Sequence, residues 1–327
     1  MAFSKKIRPT NYEFLHGISD GNTLILSRAI TIIESSLPDD RVLATSLLDQ
    51  VLPLTGKSIR IGVTGIPGVG KSTFIEVLGN QLTQLGKKVA VLSVDPTSSL
   101  SRGSILGDKT RMSELAHNPD AYIRPSPARD SLGGVAPKTR EAILLCEAAG
   151  FDIIIVETVG VGQSETIVRD MTDFFLLLMI PGAGDDLQGM KRGIMEMADA
   201  IVINKADGNN LQAAKISQNA YSSALHLFPP KASGWIVPVQ TCSAIDGTGV
   251  AEAWNTIEQY NGKMTANGFL FENRNQQRIK WLHELIKEKL TSDFFSNSLK
   301  QDQIKSLTEQ VAQEKISVRK ALELAFN

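Results

Sequence analysis

Cysteine is scarce in this 327-residue chain: only Cys146 and Cys242 occur. They lie far apart in sequence and form no C-x-x-C, which argues against a disulfide framework and for reduced, half-buried thiols in a cytosolic protein. Histidine is also sparse, and His16, His117, His226 and His283 are too scattered to suggest a metal cluster. Neither sign of charge is in excess. The formal net charge is −1, so nothing draws the molecule non-specifically onto nucleic acid or an anionic membrane. No apolar run approaches the ~18 residues of a membrane span; the longest, Phe174 to Pro181, has the size of a buried strand. Met1-Ala2-Phe3-Ser4-Lys5-Lys6 carries charge with no apolar core behind it, unlike a signal peptide. Low-complexity tracts and repeats are missing as well. These absences leave a cytoplasmic globular protein with no nucleic-acid or membrane partner, and 42% hydrophobic and 21% charged residues fit that class.

What is present is concentrated in a few motifs. Gly65-Ile66-Pro67-Gly68-Val69-Gly70-Lys71-Ser72 spells GxxxxGK[ST], the phosphate-binding P-loop. It follows an apolar run, Arg60 to Thr64, and precedes a helix-like one starting at Thr73, which is the strand–loop–helix context the motif needs. Glycines let successive N–H groups turn inward around a β-phosphate, and the helix N-terminus adds partial positive charge. Gly65, Pro67, Gly68, Val69, Gly70, Lys71, Ser72 and Thr73 are therefore the candidate phosphate-binding set. Lys71 would reach the β- and γ-phosphates, and the Ser72 hydroxyl would ligate Mg²⁺.

Asn204-Lys205-Ala206-Asp207, directly after Ile201-Val202-Ile203, is NKxD, a guanine-reading motif. The Asp207 carboxylate accepts from both the ring N–H and the exocyclic amine of guanine, a donor pair that adenine lacks. Lys205 would lie over the base, and Asn204 would tie this loop to the P-loop. Thr241-Cys242-Ser243-Ala244 fits the loop whose backbone N–H meets the guanine carbonyl, so Ser243 and Ala244 join the set.

Ile153 to Glu157 is an apolar run ending in an acid, the Walker-B pattern of a carboxylate that contacts Mg²⁺. Glu157 stands where aspartate is more usual, and the Gly160 N–H would approach a γ-phosphate. Asp95 ends a second such run, Val91 to Val94, and reads as a further Mg²⁺-shell residue. Between Asp95 and Thr139 the chain is rich in small, polar and basic residues, as suits a nucleotide-ordered switch. Within it Asp108 could orient water, reach the metal shell or simply stabilise a turn. A third loop, from Pro181 to Gly193, combines glycines with Asp185, Asp186, Gln188, Lys191 and Arg192; it suits either a mobile segment or an ordinary surface connection.

Apolar runs at Ile59–Thr64, Val89–Val94, Phe151–Glu157, Phe174–Ile180, Ala200–Asn204 and Trp235–Gln240 alternate with helical periodicity at Ser72–Leu85, Thr139–Ala149, Leu211–Leu227 and Val250–Tyr260. That alternation predicts an α/β fold, a P-loop NTPase with a doubly wound, mostly parallel sheet and ligands at the strands' carboxyl ends. Helical sequence flanks it, giving an N-terminal extension over 1–55, a nucleotide domain over 56–262 and a C-terminal extension over 263–327. A break is expected at Asn261-Gly262, then helices at Arg274–Leu290 and Gln301–Phe326. The N-terminal helices suit either a partner surface or packing on their own sheet.

The stretches GVTGIPGVGKSTF, VLSVDPTSS, GSILGDKTRM, LCEAAGFDIIIVETVGVGQSE, GDDLQGMKRG and VINKADG resemble the MeaB/ArgK-type P-loop GTPases, chaperones of adenosylcobalamin-dependent methylmalonyl-CoA mutase. The resemblance covers most of residues 59–210, with the tail matching more loosely. It implies a GTPase with Mg²⁺ and GTP or GDP as ligands and no tightly bound cofactor of its own. It implies a homodimer with C-terminal dimerisation helices, and three switch regions, the GDDLQGMKRG loop communicating with the mutase or a related acyl-CoA mutase. No water-positioning glutamine directly follows Gly160, so hydrolysis should be slow alone and faster with the partner. Family members also carry an arginine/ornithine transport kinase label, for which no protein-phosphorylation site is evident here. A nickel metallochaperone GTPase would need clustered cysteine and histidine, and a protein-targeting GTPase would need an RNA- or signal-binding module.

Overall fold

The apolar runs assemble side by side as one parallel sheet in the computed structural model, which describes residues 9–94, 112–125, 135–158, 164–182 and 192–326. Its strands are β1 (Ile59–Gly65), β2 (Val89–Val94), β3 (Ala121–Pro125), β4 (Ile153–Thr158), β5 (Phe174–Met179), β6 (Ala200–Ile203) and β7 (Val239–Thr241). Among the described residues the order is β3-β2-β4-β1-β5-β6-β7, every pair parallel. The four strands β2, β4, β5 and β6 are buried along their whole length, because helices cover both faces and no position faces water.

Register brings the strand ends to one edge. Val63 pairs with Glu157, Gly65 with Leu178, Met179 with Ile203, and Ile203 with Thr241. The motif residues that follow these strands are thereby carried to the same rim, where ligands of open α/β sheets bind.

One face is covered by α4 (Lys71–Gln84), the short α5 (Ser113–His117) and α10 (Val250–Ala266), whose Phe74, Leu78, Leu82, Leu115, Trp254 and Ile257 share a core with Ile61, Val63 and Ile155. The other is covered by α6 (Val135–Ala148), α7 (Ser164–Arg169) and the N-terminal helices α1 (Asn11–Ser19), α2 (Thr23–Glu34) and α3 (Pro38–Val51). Phe14, Ile18, Leu26, Ile30 and Leu47 share a core with Ile154 and Val156. The N-terminal helices therefore pack on the domain's own sheet. Their starts are written locally: Thr10 and Glu13 form a capping box, Asn22 caps α2, and Pro38 opens α3. A third cluster places Met195 of α8 (Arg192–Met197) and Tyr221 of α9 (Leu211–Leu225) against Leu177 and Ile201.

Several expectations need correction. Edge strand β3 has no counterpart in the sequence reading; it is only five residues long, carries Arg124 and ends in proline. The run expected at Trp235–Gln240 is a strand only over Val239–Thr241. Pro238 cannot donate to a ladder, and Trp235 instead donates Nε1–H to the Asp199 carbonyl at 2.8 Å and meets Tyr260 edge-on. Asn261-Gly262 does not break α10, which runs on until Gly268 takes a φ of 77°; nothing lies within 4 Å of a Cβ at Gly262, so that glycine weakens the helix without a steric reason to end it. The cysteines are fully buried rather than half-buried.

The chain divides into two compact units, Met1–Arg274 and Asn275–Asn327, with α11 (Phe269–Ser296) spanning the division. In the second unit α12 (Ser298–Ala312) and α13 (Val318–Phe326) replace the single helix expected at Gln301–Phe326. Phe294 stacks on Phe326, and Gln303 donates to the Leu324 carbonyl at 2.6 Å. No helix among the described residues is long and apolar enough to cross a membrane.

Candidate nucleotide-binding site

β1 leaves the sheet through Gly65, whose φ of 153° and closeness to β5 exclude a side chain: a Cβ there would lie 2.4 Å from the Leu178 carbonyl oxygen. Gly70 re-enters helical structure at φ 95°, where a Cβ would lie 2.7 Å from the Asn204 amide nitrogen. Its carbonyl accepts the first bond of α4 from the Phe74 N–H at 2.9 Å. Between these points Pro67 and Gly68 are exposed, as is Thr73 beyond them, while Val69 turns its side chain into the core.

Lys71 is buried, and its ammonium donates to the Gly65 and Ile66 carbonyls at 2.7 and 3.3 Å. Burial lowers its pKa, opposed by the negative charges of Glu157 and Glu165. The cation is thus held inside the loop's bend, where it can exchange carbonyl acceptors for phosphate oxygens.

Beside it the Ser72 hydroxyl donates to Glu157 Oε1 at 3.1 Å. Glu157 is buried at the end of β4. A hydroxyl and a carboxylate converging at a loop that fits phosphates are the hard oxygen donors Mg²⁺ prefers, so these residues fit the metal. Asp95, Asp108 and Gly160 lie outside the described residues, as do Asp185, Asp186, Gln188 and Lys191; Arg192 is placed only as the first residue of α8.

The third part is organised by Asn204, buried at the end of β6. Its Nδ2 donates to the Val69 carbonyl at 2.8 Å, and its Oδ1 accepts from the Ala244 N–H at 3.0 Å and the Cys242 thiol at 3.3 Å. One amide therefore joins the P-loop, the NKxD loop and the Ser243-Ala244 loop. Lys205 is exposed with φ 61°, and the Ala206 N–H returns to the Cys242 carbonyl at 2.9 Å. The Ser243 hydroxyl donates to Asp207 Oδ2 at 2.8 Å and so fixes the carboxylate's orientation. Burial pushes the Cys242 thiol up to about 12, which keeps it a neutral donor.

The motifs read from sequence thus converge on one edge where they are described. Contacts that the sequence reading did not assign join them: the Cys242 thiol behind Asn204, Glu165 of α7 near Lys71, and a buried cross-strand pair in which the Thr158 hydroxyl donates to Thr64 at 2.9 Å. The available signal for the last was a threonine at the exit of each run, directly before Gly65 and directly after Glu157.

A parallel doubly wound sheet with this loop between β1 and α4 defines a P-loop NTPase. Comparison with known proteins narrows the class. Residues 26–299 match the family model described as methylmalonyl Co-A mutase-associated GTPase MeaB. The chain is 48% identical to the GTPase ArgK of Escherichia coli K12, over 87% of this chain and 86% of that one. It is 45% identical to the mouse mitochondrial methylmalonic aciduria type A homolog, over 94% and 77%. A crystal structure described as a LAO/AO transport system kinase superposes with a TM-score of 0.78 at 39% identity, covering 98% of both chains. The chain belongs to the MeaB family of mutase-associated GTPases.

Proposed function

We propose that the protein hydrolyses GTP and uses the nucleotide cycle to gate adenosylcobalamin loading, protection and reactivation of methylmalonyl-CoA mutase or a related acyl-CoA mutase. The observation that carries this reading is the match of residues 26–299 to a family described by its association with that mutase. The site geometry supports the nucleotide part. In this reading Gly65–Thr73 wrap the phosphates, and Lys71 neutralises the β- and γ-phosphates. Ser72 and Glu157, with Asp95, would hold Mg²⁺, which when bound offsets charge developing on the phosphates. The Gly160 N–H meets the γ-phosphate, and Asp108 orients water or completes the metal shell. Asn204, Lys205, Asp207, Ser243 and Ala244 read guanine.

The third loop, with Asp185, Asp186, Gln188, Lys191 and Arg192, is the segment we assign to communication with the mutase. A nucleotide shifts the partner only by the difference in contacts between its two states, so a loop that changes with the γ-phosphate is the part required. Single-turnover hydrolysis of GTP and ATP, with and without the mutase, tests the proposal. The expected outcome is preference for GTP, slow turnover alone and faster turnover with the mutase. Lys191→Ala with Arg192→Ala should keep intrinsic turnover and lose the stimulation. Preference for ATP with phosphate transferred to protein would instead favour the transport-kinase reading, and hydrolysis indifferent to the mutase would remove the partner.

A further inference from the structure

The Thr64 and Thr158 hydroxyls are the conspicuous polar groups in an apolar layer. They are adjacent across β1 and β4, one step beyond the Val63–Glu157 pair, and the donor–acceptor distance is 2.9 Å. Exposure is 2% and 0%. Side chains alternate along a strand, so both project to the face opposite Val63 and Glu157. That face holds Ile154, Val156, Val168 and Phe175. It has no slack beneath the pair: a Cβ on Gly62 would come within 2.8 Å of both Val168 and Phe175. Valine would fill the same volume without burying a hydroxyl, which needs a hydrogen bond to offset its lost hydration.

The location gives the pair a task. Thr158 directly follows Glu157, and its other lateral neighbour is Val94, the residue before Asp95. Thr64 directly precedes Gly65, where the P-loop begins. A bond between the hydroxyls therefore locks the exits of β4 and β1 to each other on one face, while Glu157 meets Ser72 on the other.

We propose that Thr64 and Thr158 form a positioning clasp that holds the Glu157 carboxylate in register with the P-loop serine and thereby sets the affinity for the Mg²⁺ that accompanies nucleotide. The proposal rests on the guanine-nucleotide reading of the site. Neither threonine touches the metal; both act through Glu157. Groups that hydrogen-bond a ligating side chain directly change metal affinity by about 10–100-fold when lost; the clasp acts one residue removed from the carboxylate, which sets the expected effect at the lower end of that range.

The test is calorimetric binding of GDP and of a non-hydrolysable GTP analogue across a Mg²⁺ titration, with thermal melting alongside. Thr158→Val and Thr64→Val should each raise the Mg²⁺ requirement about tenfold while nucleotide binding without Mg²⁺ stays at the wild-type level. Thr158→Ser keeps the donor and should behave like wild type. The double valine variant should be no worse than either single one, because one shared bond is lost. A wild-type Mg²⁺ requirement in either valine variant overturns the clasp. So does a serine variant as impaired as valine, which would mean that the methyl group, not the hydroxyl, matters. Thr158→Ser and Thr64→Val are independent routes should Thr158→Val misfold. A wild-type protein that binds no guanine nucleotide overturns the reading beneath the clasp, a result plainly different from variants that match a binding wild type.

Discussion

At the residue scale, the guanine reading proposed for Asp207 rests on how few ways its carboxylate can point. The Ser243 hydroxyl holds one carboxylate oxygen at 2.8 Å, and the loop carrying Ser243 is itself tied to Asn204 through Ala244. In Asp207→Asn the amide oxygen can keep the Ser243 bond, which turns the NH₂ toward the base. Guanine then loses acceptors for its ring N–H and amine, at about 1.5–3 kcal/mol for each charge-assisted bond, and xanthine gains a donor for its carbonyl. Calorimetry should show GTP weakened by tenfold or more, by the about 1.4 kcal/mol per decade of affinity, and xanthosine triphosphate strengthened. Unchanged GTP affinity would remove Asp207 from the base site. The P-loop and NKxD stretches were legible because each is contiguous and follows an apolar run. The Cys242–Asn204 bond, the approach of Glu165 to Lys71 and the Thr64–Thr158 pair were not, because their meaning lies in which element is the neighbour, and neighbours follow from the fold rather than from spacing.

At the element scale, the edge of the sheet remote from the nucleotide loops is held by a buried ion pair at the first turns of α11. Arg274 donates bidentately to Asp173, at 2.8 and 2.6 Å, and to the Gly56 and Ser58 carbonyls, each at 2.6 Å. Asp173 also accepts the Arg60 N–H at 2.9 Å, so the pair secures the starts of β1 and β5 together. Removing one partner strands a buried charge, which costs about 3–5 kcal/mol. Arg274→Ala should therefore lower the free energy of unfolding measured by urea titration by that much while leaving nucleotide affinity intact, since the site lies at the opposite strand ends. Arg274→Lys should rescue only part, because lysine lacks the planar fork. A loss below about 1 kcal/mol would show that the pair behaves like an exposed one. The elements themselves were legible where pattern and burial agree, as in β4 and β5, apolar on both faces. They were misread where tertiary context overrides local signals. Pro125, Arg124 and a length of five residues hide β3, Trp235 looks like a strand residue but packs from a loop, and packing of Tyr260 and Met264 carries α10 past Gly262.

At the scale of the whole molecule, the second unit presents apolar side chains that its own helices leave exposed. Ile279, Leu282, Ile286 and Leu290 of α11 are 51%, 58%, 46% and 65% exposed. Their spacing of three, four and four residues puts them on one stripe of the helix. The period was legible in the sequence; that the stripe stays uncovered was not, because the same pattern describes a helix packed on its own domain. A second copy of the chain is the occupant we assign, in keeping with the dimerisation helices that the family resemblance implies. Each such side chain buried in an interface contributes about 1.5–3 kcal/mol, whereas glutamate in its place would have to shed its hydration. Leu282→Glu with Ile286→Glu should convert a dimer into a monomer in sedimentation equilibrium. Since both positions are exposed in the single chain, circular dichroism and guanine-nucleotide affinity should stay at wild-type values. A wild type that sediments as a monomer would remove the second copy, and a double variant that remains a dimer would place self-association elsewhere; either result leaves this stripe for the mutase.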